Sequence, residues 1–295
     1  MQKPDDRVHN RALAWGLDLS RPEVTTPEEI AEFRRISAQQ LGVQQDGLDY
    51  WLDEGPEVLK RYRAWADKLR IRQADEAPNK WSPNGVAIMY LYALTGFEQG
   101  LRYGIEGANR GMTKAQAHEQ FALVFRYGGP RAMAALAKAA RGYEWHEPPQ
   151  PLKWPTGWGP DPDAFKSGVD FSTIEATPED TRKIVAWYER WLGEVPRHIR
   201  FLAKHRPLLL KAYRSRYENT IRLLPKQAEP YALIQVSMTR RAADGLREGI
   251  LLARAFGMTK DQVMEAIDWG TFYGGMDAMG QVEEVAGDVL DAWPS

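Results

Sequence analysis

The sequence contains no cysteine, which removes a whole set of chemistries. Without a thiol the chain cannot form a disulfide, hold a metal through thiolates or act as a thiol peroxidase. Long apolar runs are missing as well, and none approaches the roughly 20 residues that a membrane-spanning helix needs. The first residues are polar and do not resemble a secretion signal. We therefore expect a cytoplasmic protein with no membrane partner.

An excess of either charge is also absent. The net charge is −1, from 39 basic and 40 acidic residues, so no overall positive field favours nucleic acid. Histidine is scarce, and the five histidines form no compact ligand pattern. Their closest association with acids is Glu144, His146 and Glu147, which we interpret as structural. We predict no nucleic-acid partner, no metal and no cofactor.

One segment nevertheless concentrates positive charge. Between residues 197 and 216 it contains Arg197, Arg200, Lys204, Arg206, Lys211, Arg214 and Arg216. The neutral total charge and the flanking acids Glu194 and Glu218 weigh against a nucleic-acid stripe. We interpret the segment as a solvated helix face or as an electrostatic funnel for an anionic metabolite.

What the sequence does contain is an internal repeat. Gly-Met-Thr-Lys at 111–114 recurs 146 residues later at 257–260, and Tyr-Gly-Gly at 127–129 recurs with the same offset at 273–275. Upstream, Thr-Pro-Glu-Glu at 26–29 is echoed 151 residues later by Thr-Pro-Glu-Asp at 177–180. The change of offset places five extra residues in the first copy, around 75–80. Such order and register predict a tandem duplication of one helical module.

Three segments follow from this repeat. We predict a first repeat over 1–147, a linker over 148–163 and a second repeat over 164–295. The stretch 146–163 contains six prolines, so it cannot continue a helix. Its tryptophans, Trp154 and Trp158, indicate that the linker is anchored against the surface, although a ligand lid is a second interpretation.

Helix signals dominate both copies. Thr26 and Thr177 each precede a proline and an acid three residues on, which predicts helices over about 28–41 and 179–192. Further helices are expected over 56–72 and 207–223. Single long helices are predicted over 83–110 and 230–256, each ended by a glycine. Capping boxes at Thr113 and Thr259 restart the helix in each copy. The alternative of a strand over 231–236 would break the repeat and is rejected, so we predict an all-α fold.

The repeated core resembles the carboxymuconolactone decarboxylase family of the alkylhydroperoxidase-like superfamily. The resemblance is carried by Ala-Asn-Arg-Gly at 108–111, the following Met-Thr-Lys, Glu119 and Tyr127-x-Gly129. In the second copy it is carried by Gly257, Thr259, Glu265, Tyr273 and Gly275. The resemblance implies an all-helical fold that assembles as homo-oligomers, with pockets between helices. These motifs are mostly caps and glycines, so they specify the fold better than the activity.

The sequence departs from this family at its reactive positions. The peroxidase branch uses a Cys-x-x-Cys pair, which is absent here. The decarboxylase branch carries a histidine eight residues before the glycine that ends the long helix. That position is Tyr103 in the first copy and Gly249 in the second. A tyrosine with a pKa near 10 can donate a proton to an oxyanion but is a poor base near neutrality.

Candidate site residues lie on the long helix of the first copy. Glu98, Arg102 and Glu106 are spaced by four, which places them on one helix face. In the functional interpretation Glu98 moves a proton, Arg102 binds a carboxylate and Tyr103 holds the oxyanion. In the other interpretation these residues form a solvated ladder of ion pairs, which is common on exposed helices.

The second copy offers a related set of residues. Asp244, Arg247 and Glu248 repeat the acid-and-arginine pattern, and we predict that they and Glu106 contribute to substrate binding. Tyr127 and Tyr273 precede the glycine pairs. We predict an oxyanion-stabilising role for Tyr127 and a substrate-binding role for Tyr273, while core packing is the other interpretation.

These residues lead to one expected function and one alternative. We expect a cofactor-independent enzyme, a decarboxylase or a related lyase, isomerase or hydrolase, acting on a small anionic organic acid or lactone. The alternative is a non-catalytic ligand-binding or assembly protein that retains the fold. A homo-oligomer is expected in both cases, because duplication covers only one apolar face of such a module.

Overall fold

The computed structural model describes residues 16–41, 46–74, 84–109, 111–148 and 152–294, and their regular structure is helical. The predicted all-α class is confirmed. None of the described helices is long and apolar enough to cross a membrane. The elements in chain order are α1 (Pro27–Leu41), α2 (Asp46–Glu54), α3 (Pro56–Ala74), α4 (Asn84–Thr95), α5 (Glu98–Asn109), α6 (Lys114–Ala140), a 3-10 turn (Pro162–Phe165), α7 (Pro178–Leu192), α8 (Arg197–His205), α9 (Pro207–Glu218), α10 (Ala228–Arg240), α11 (Ala243–Ala255), α12 (Lys260–Gly274) and α13 (Asp277–Asp291).

The chain divides into two compact units, residues 1–78 and 79–295. The first unit contains α1 to α3 around a small core in which Phe33 and Leu52 are fully buried. The second contains α4 to α13 around one continuous core that runs from Val86 to Trp293. The compact units therefore do not coincide with the predicted repeats, because α4 to α6 share their core with the helices that follow the linker. The five extra residues expected around 75–80 lie outside the described residues.

The second unit is organised by two similar helix packings. Helix α4 packs against α5 and α6, and α10 packs in the same way against α11 and α12. Helices α4 and α10 also contact each other, and α7 and α9 complete the unit on the side of α11 and the 3-10 turn. This arrangement brings α6, α7, α9, α10 and α11 together, and those helices carry the candidate site.

The predicted helix starts are confirmed. Thr113, Thr177 and Thr259 each accept a hydrogen bond from the backbone of the third helical residue, whose side chain in turn accepts from the threonine N–H. The same reciprocal bonds join Thr26 and Glu29. These boxes satisfy amide groups that a helix start leaves without partners, which is why a local sequence signature locates them.

The two predicted long helices are each interrupted, so that prediction was wrong. The first breaks at Gly96 (φ 75°), between α4 and α5. The second breaks at Arg241, which takes a left-handed conformation (φ 56°) between α10 and α11. The Arg241 guanidinium donates to the carbonyl of Gly274 at 2.8 Å, and this distant contact holds a conformation that a non-glycine residue disfavours.

Both Tyr-Gly-Gly motifs change the direction of the chain. Gly129 (φ 64°, ψ −157°) kinks α6, and Gly275 (φ 84°, ψ 163°) separates α12 from α13. L-residues are strained at these angles, so glycine is required there. Left-handed ends were expected at Gly111 and Gly257. The expectation is confirmed at Gly257 by its φ of 74° and is wrong at Gly111, which does not have a positive φ.

Each unit buries a lysine in an equivalent setting. Lys60 Nζ lies 2.8 Å from Glu29 Oε1 and also donates to the carbonyl of Val24. Lys211, 151 residues later, lies 3.0 Å from Asp180 Oδ2 and donates to the carbonyl of Glu175. Both lysines are buried. The ion pairs therefore join α3 to the start of α1 in the first unit, and α9 to the start of α7 in the second.

The proline-rich segment is anchored by its tryptophans, as predicted. Trp158 is buried and donates from its indole nitrogen to Gln262 Oε1 at 3.1 Å. Trp154 packs against the main core with part of its ring. Residues 149–151 of this segment lie outside the described residues.

Removing the buried lysine of the second unit should cost much stability. Lys211→Met leaves the Asp180 carboxylate buried without its cation, so we expect the unfolding free energy to fall by about 3 kcal/mol. Urea denaturation of the full chain measures this. Adding Asp180→Asn should recover part of the loss, because the amide oxygen keeps the helix cap without a charge. Arg182→Met, on an exposed pair with Glu179, should change stability by less than about 1 kcal/mol; an equal loss there would refute the explanation.

Candidate functional site

The second compact unit contains a group of buried and partly buried charged and hydroxyl side chains where α6, α7, α9, α10 and α11 meet. We call this group the buried polar cluster. Its members are Arg126, Tyr127, Tyr188, Tyr213, Arg214, Tyr217, Glu218, Glu229 and Glu248. Burying charged groups is costly unless they are paired and hydrogen-bonded. A cluster of this size therefore indicates either a structural network or a binding site.

Helix α6 contributes an arginine and a tyrosine to the buried polar cluster. Arg126 forms an ion pair with Glu229 of α10, and their side chains are only 4% and 1% exposed. The Tyr127 hydroxyl donates to Glu229 Oε1 at 2.8 Å and accepts from Arg126 at 3.0 Å. Burial raises the pKa of Tyr127, so its hydroxyl remains a donor at neutral pH.

Helix α9 contributes a second arginine. Arg214 donates to Glu218 Oε1 at 2.8 Å, one turn along the same helix, and also to the carbonyl of Phe165. Its guanidinium lies over the ring of Trp187, 3.9 Å from the centroid. A planar guanidinium can stack on an aromatic ring and donate hydrogen bonds from its edge at the same time. Arg214 is therefore fixed in orientation.

The Tyr217 ring joins the two arginines. The guanidinium carbon of Arg126 lies 4.8 Å from its centroid and that of Arg214 lies 4.7 Å from it. The Tyr213 and Tyr217 rings are also neighbours, with centroids 6.2 Å apart. Burial raises the pKa of both tyrosines. Two guanidinium cations and two protonated tyrosine hydroxyls therefore lie close together, away from solvent.

Glu248 is the titratable member of the buried polar cluster. Its pKa is raised to about 7, chiefly by burial and also by Asp244, while Arg126 and Arg214 act in the opposite direction. The carboxyl group is 4% exposed. A carboxyl with this pKa is present in both protonation states near neutrality, which suits it to move a proton.

A histidine connects Glu248 with the surface. His198 Nε2 lies 3.6 Å from Glu248 Oε2, and 39% of the His198 side chain is exposed. Burial lowers the pKa of His198, so its ring is largely neutral at pH 7. His198 also contacts the Tyr213 ring edge-on, at 6.1 Å between centroids. The imidazole is thus placed between solvent and the buried carboxyl.

Several polar atoms of the buried polar cluster lack a hydrogen-bond partner among the described residues. They are Nη1 of Arg126 and Arg214, the hydroxyls of Tyr188 and Tyr217, Oε2 of Glu229 and Oε1 of Glu248. Native proteins satisfy nearly all buried polar groups. Donors and acceptors gathered in this way can be satisfied by a small polar ligand or by water.

The predicted pair Glu98 and Arg102 lies elsewhere. Arg102 donates to Glu98 Oε1 at 3.0 Å, and Lys138 lies 2.5 Å from Glu98 Oε2. The Arg102 side chain is 61% exposed and that of Glu98 30%. The Lys138 ammonium holds the pKa of Glu98 below its ordinary value, so this carboxyl stays charged. The contacts match the ladder of ion pairs that the spacing also predicted.

The other predicted residues have different surroundings. Glu106 is exposed and Tyr103 is partly exposed on α5. Asp244 is exposed, 3.8 Å from Arg197. Arg247 donates to both carboxylate oxygens of Glu194 at 2.9 Å and to the carbonyl of Val285 at 2.7 Å. It joins α11 to α13 and to the turn after α7.

The two predicted tyrosines differ from each other. Tyr127 lies within the buried polar cluster, where its hydroxyl is bound to Glu229. Tyr273 stacks on Trp269 with centroids 5.8 Å apart and meets Phe272 edge-on. The counterpart of Arg126 in the second copy is Phe272, so the repeat places an aromatic ring where the first copy places a cation.

The sequence pointed to only part of the buried polar cluster. Glu248 and Tyr127 were predicted site residues, and Arg214 was noted only within the basic segment. Arg214 and Lys211 are buried, so the interpretation of that segment as a solvated face fails for these two. Arg126 and Glu229 were missed, because their pairing joins positions 103 residues apart. One sequence signal could have indicated Arg126: it is a charged residue directly before the repeated Tyr-Gly-Gly motif.

Metal-ligating groups do not gather in the part of the chain that the structure describes. His146 instead lies against the buried amide of Asn109, with 2.7 Å between Asn109 Nδ2 and His146 Nδ1. Glu119, a residue of the repeated motif, accepts hydrogen bonds from the backbone N–H groups of 222–224. It fixes the chain after α9 and thereby the position of Tyr217.

Glu248 should impose a pH dependence on stability. Its pKa is about 7 in the folded chain and near 4.5 when unfolded, so the folded state retains a proton that the unfolded state loses between these values. Its contribution to unfolding free energy therefore falls as pH rises from 4.5 to 7. Relative to the wild type, Glu248→Gln should gain up to about 3 kcal/mol between pH 4.5 and 8. Urea denaturation of the wild type and the variant at pH 4.5 and pH 8 measures this. A difference in unfolding free energy between the two proteins that is the same at both pH values would contradict it.

Comparisons with known proteins do not identify this site. The chain was compared with protein-family models, with curated proteins and with solved structures, and it matches none of them. The resemblance to the carboxymuconolactone decarboxylase family therefore stands on the quoted sequence motifs alone, and functional inference depends on the chemistry of the buried polar cluster.

Proposed function

We propose that this protein is a cofactor-independent enzyme that acts on a small organic acid or lactone, by decarboxylation or a related lyase, isomerase or hydrolase step. The observation that supports this most directly is Glu248, a buried carboxyl with a pKa of about 7 beside two arginines and several tyrosines. Proton transfer at neutral pH needs a group of this kind. Anion binding and oxyanion stabilisation need the cations and hydroxyls around it.

Each part of the buried polar cluster has a role in this proposal. The Nη1 groups of Arg126 and Arg214 bind the substrate carboxylate, since their other nitrogens already hold Glu229 and Glu218. The Tyr217 or Tyr188 hydroxyl donates to the oxygen that becomes negative. Glu248 moves the proton, and His198 exchanges that proton with solvent.

A β-oxo acid illustrates the chemistry. The bond between the α-carbon and the carboxyl carbon breaks, carbon dioxide leaves, and the electron pair passes to the carbonyl as an enolate. A tyrosine hydroxyl stabilises the enolate oxygen, and protonated Glu248 delivers its proton to the α-carbon. With a lactone, ionised Glu248 instead takes a proton from the attacking water. Both steps use a carboxyl that is partly ionised at neutral pH.

We also propose that the chain is a tandem duplication of a carboxymuconolactone decarboxylase-like module, of which the described residues carry the proposed site once. The duplication is supported by the matching buried lysines, the matching capping boxes and the matching glycine breaks. At the site the copies differ. The counterparts of Arg126 and Glu248 are Phe272 and Arg102, and Arg102 is largely exposed. The first copy therefore supplies Arg126, and the second copy supplies Arg214 and the titratable Glu248.

A second candidate function is a non-catalytic protein that binds a small organic anion. It is favoured by the carboxylate partner that each buried arginine already has. Such pairs hold the arginines rigidly, and rigid donors are also what a simple binding site requires. Such a protein would bind the same class of ligand as the proposed enzyme but would not transfer a proton.

Substitution of Glu248 should separate the two candidates. We would screen β-oxo acids, dicarboxylic acids and small lactones for turnover by the full chain without added metal or cofactor. Glu248→Gln should lower kcat by about 100-fold or more, because general acid–base catalysis contributes that much. Glu98→Gln, a matched change at an exposed ion pair, should leave kcat within about threefold. Equal losses for both variants would remove Glu248 from the mechanism.

The same screen tests the binding role of the buried arginines. Arg126→Met should abolish any thermal stabilisation by the ligand, while Arg102→Met should leave it unchanged. Ligand stabilisation that depends on Arg126 without any turnover would support the non-catalytic candidate. If no compound either binds or reacts, the proposed ligand class is wrong.

A further inference from the structure

The corner between α8 and α9 exposes apolar side chains that are surrounded by positively charged residues. Phe201 is 60% exposed, and Leu208 and Leu209 are 52% and 55% exposed. Around them Arg200, Lys204 and Arg206 are exposed. We call these six residues the basic corner. Acidic residues are absent from the sequence between 195 and 217, so the charge of this corner has one sign.

The corner between α2 and α3 has the same design with the opposite charge. Tyr50, Trp51 and Val58 are 59%, 45% and 50% exposed. Asp53 and Glu54 are exposed, and Asp49 is partly exposed. These six residues form the acidic corner. Arg34 pairs with Asp49 and Asp53, which offsets one of the three negative charges and leaves the corner net negative.

The repeat aligns four residues of the acidic corner with four of the basic corner. With the offset of 151 residues, Tyr50 corresponds to Phe201 and Val58 to Leu209. Asp49 corresponds to Arg200, and Asp53 corresponds to Lys204. Two exposed apolar positions are therefore kept, while two charged positions beside them are reversed. Exposed apolar side chains that form a patch rimmed by polar residues mark sites of protein–protein contact.

We propose that this protein self-associates head to tail, the acidic corner of one molecule binding the basic corner of a second. Each corner offers an aromatic ring and aliphatic groups that can be buried, and the surrounding charges attract each other. Because the two corners are different surfaces, the contact is heterologous: one molecule of the pair keeps its basic corner free and the other keeps its acidic corner free for a further copy. The proposal does not involve the buried polar cluster.

A charge-swap experiment on the full chain tests this contact. Wild-type protein should increase in mass with concentration, as measured by sedimentation velocity, and high salt should weaken the association. Asp53→Lys with Glu54→Lys makes both corners basic, and Arg200→Glu with Lys204→Glu makes both corners acidic. Each variant alone should show a Kd for self-association raised at least about tenfold, because like charges now face each other.

Mixing the two variants gives the decisive result. The variant with two basic corners should bind the variant with two acidic corners, and neither should bind itself as tightly. Lys166→Glu, a charge reversal at another exposed site, should associate like the wild type. Circular dichroism and thermal unfolding confirm that each variant is folded. A wild-type mass of one chain at every concentration, or no association in the mixture, overturns the proposal.

Discussion

The second compact unit depends on one buried ion pair, between Arg126 on α6 and Glu229 on α10. These two side chains come from opposite sides of the linker, so their pairing holds together helices that the sequence separates by about a third of the chain. Tyr127 strengthens the contact by donating to the same carboxylate. Because both charges are almost completely buried, neither helix can move away without leaving a charge unpaired in an apolar environment. This constraint fixes α6 against α10 at the buried polar cluster.

The buried polar cluster costs stability wherever it is incompletely satisfied. Two leucines of similar volume in place of Arg126 and Glu229 would avoid the desolvation of two charges. The buried lysines 60 and 211 are different, because each has a carboxylate and a backbone carbonyl and is fully engaged. The contrast separates two kinds of buried charge within one chain. One kind is completely paired and structural, and the other retains free donors and acceptors.

Much of the fold could be predicted from local sequence signals, and the site could not. The capping boxes at Thr113 and Thr259 need only four consecutive residues, and the structure confirms both. The break at Arg241 was missed because it is held by Gly274, which lies 33 residues away. Glu248 was predicted to be part of the site, but its burial depends on α7, α8 and α9. Glu98 and Arg102 had the more regular spacing, and regular spacing on a helix is equally typical of an exposed face.

The contact of Glu119 with residues 222–224 has a consequence for biosynthesis. This carboxylate and Arg126 both leave the ribosome about a hundred residues before their partners do. Helices α4 to α6 therefore emerge with a charged and apolar surface that has nothing to pack against until α9, α10 and α11 have been translated. Nascent chains halted before residue 207 should be bound by chaperones, and this need should end only when the later helices that complete the core, up to α13, have been translated.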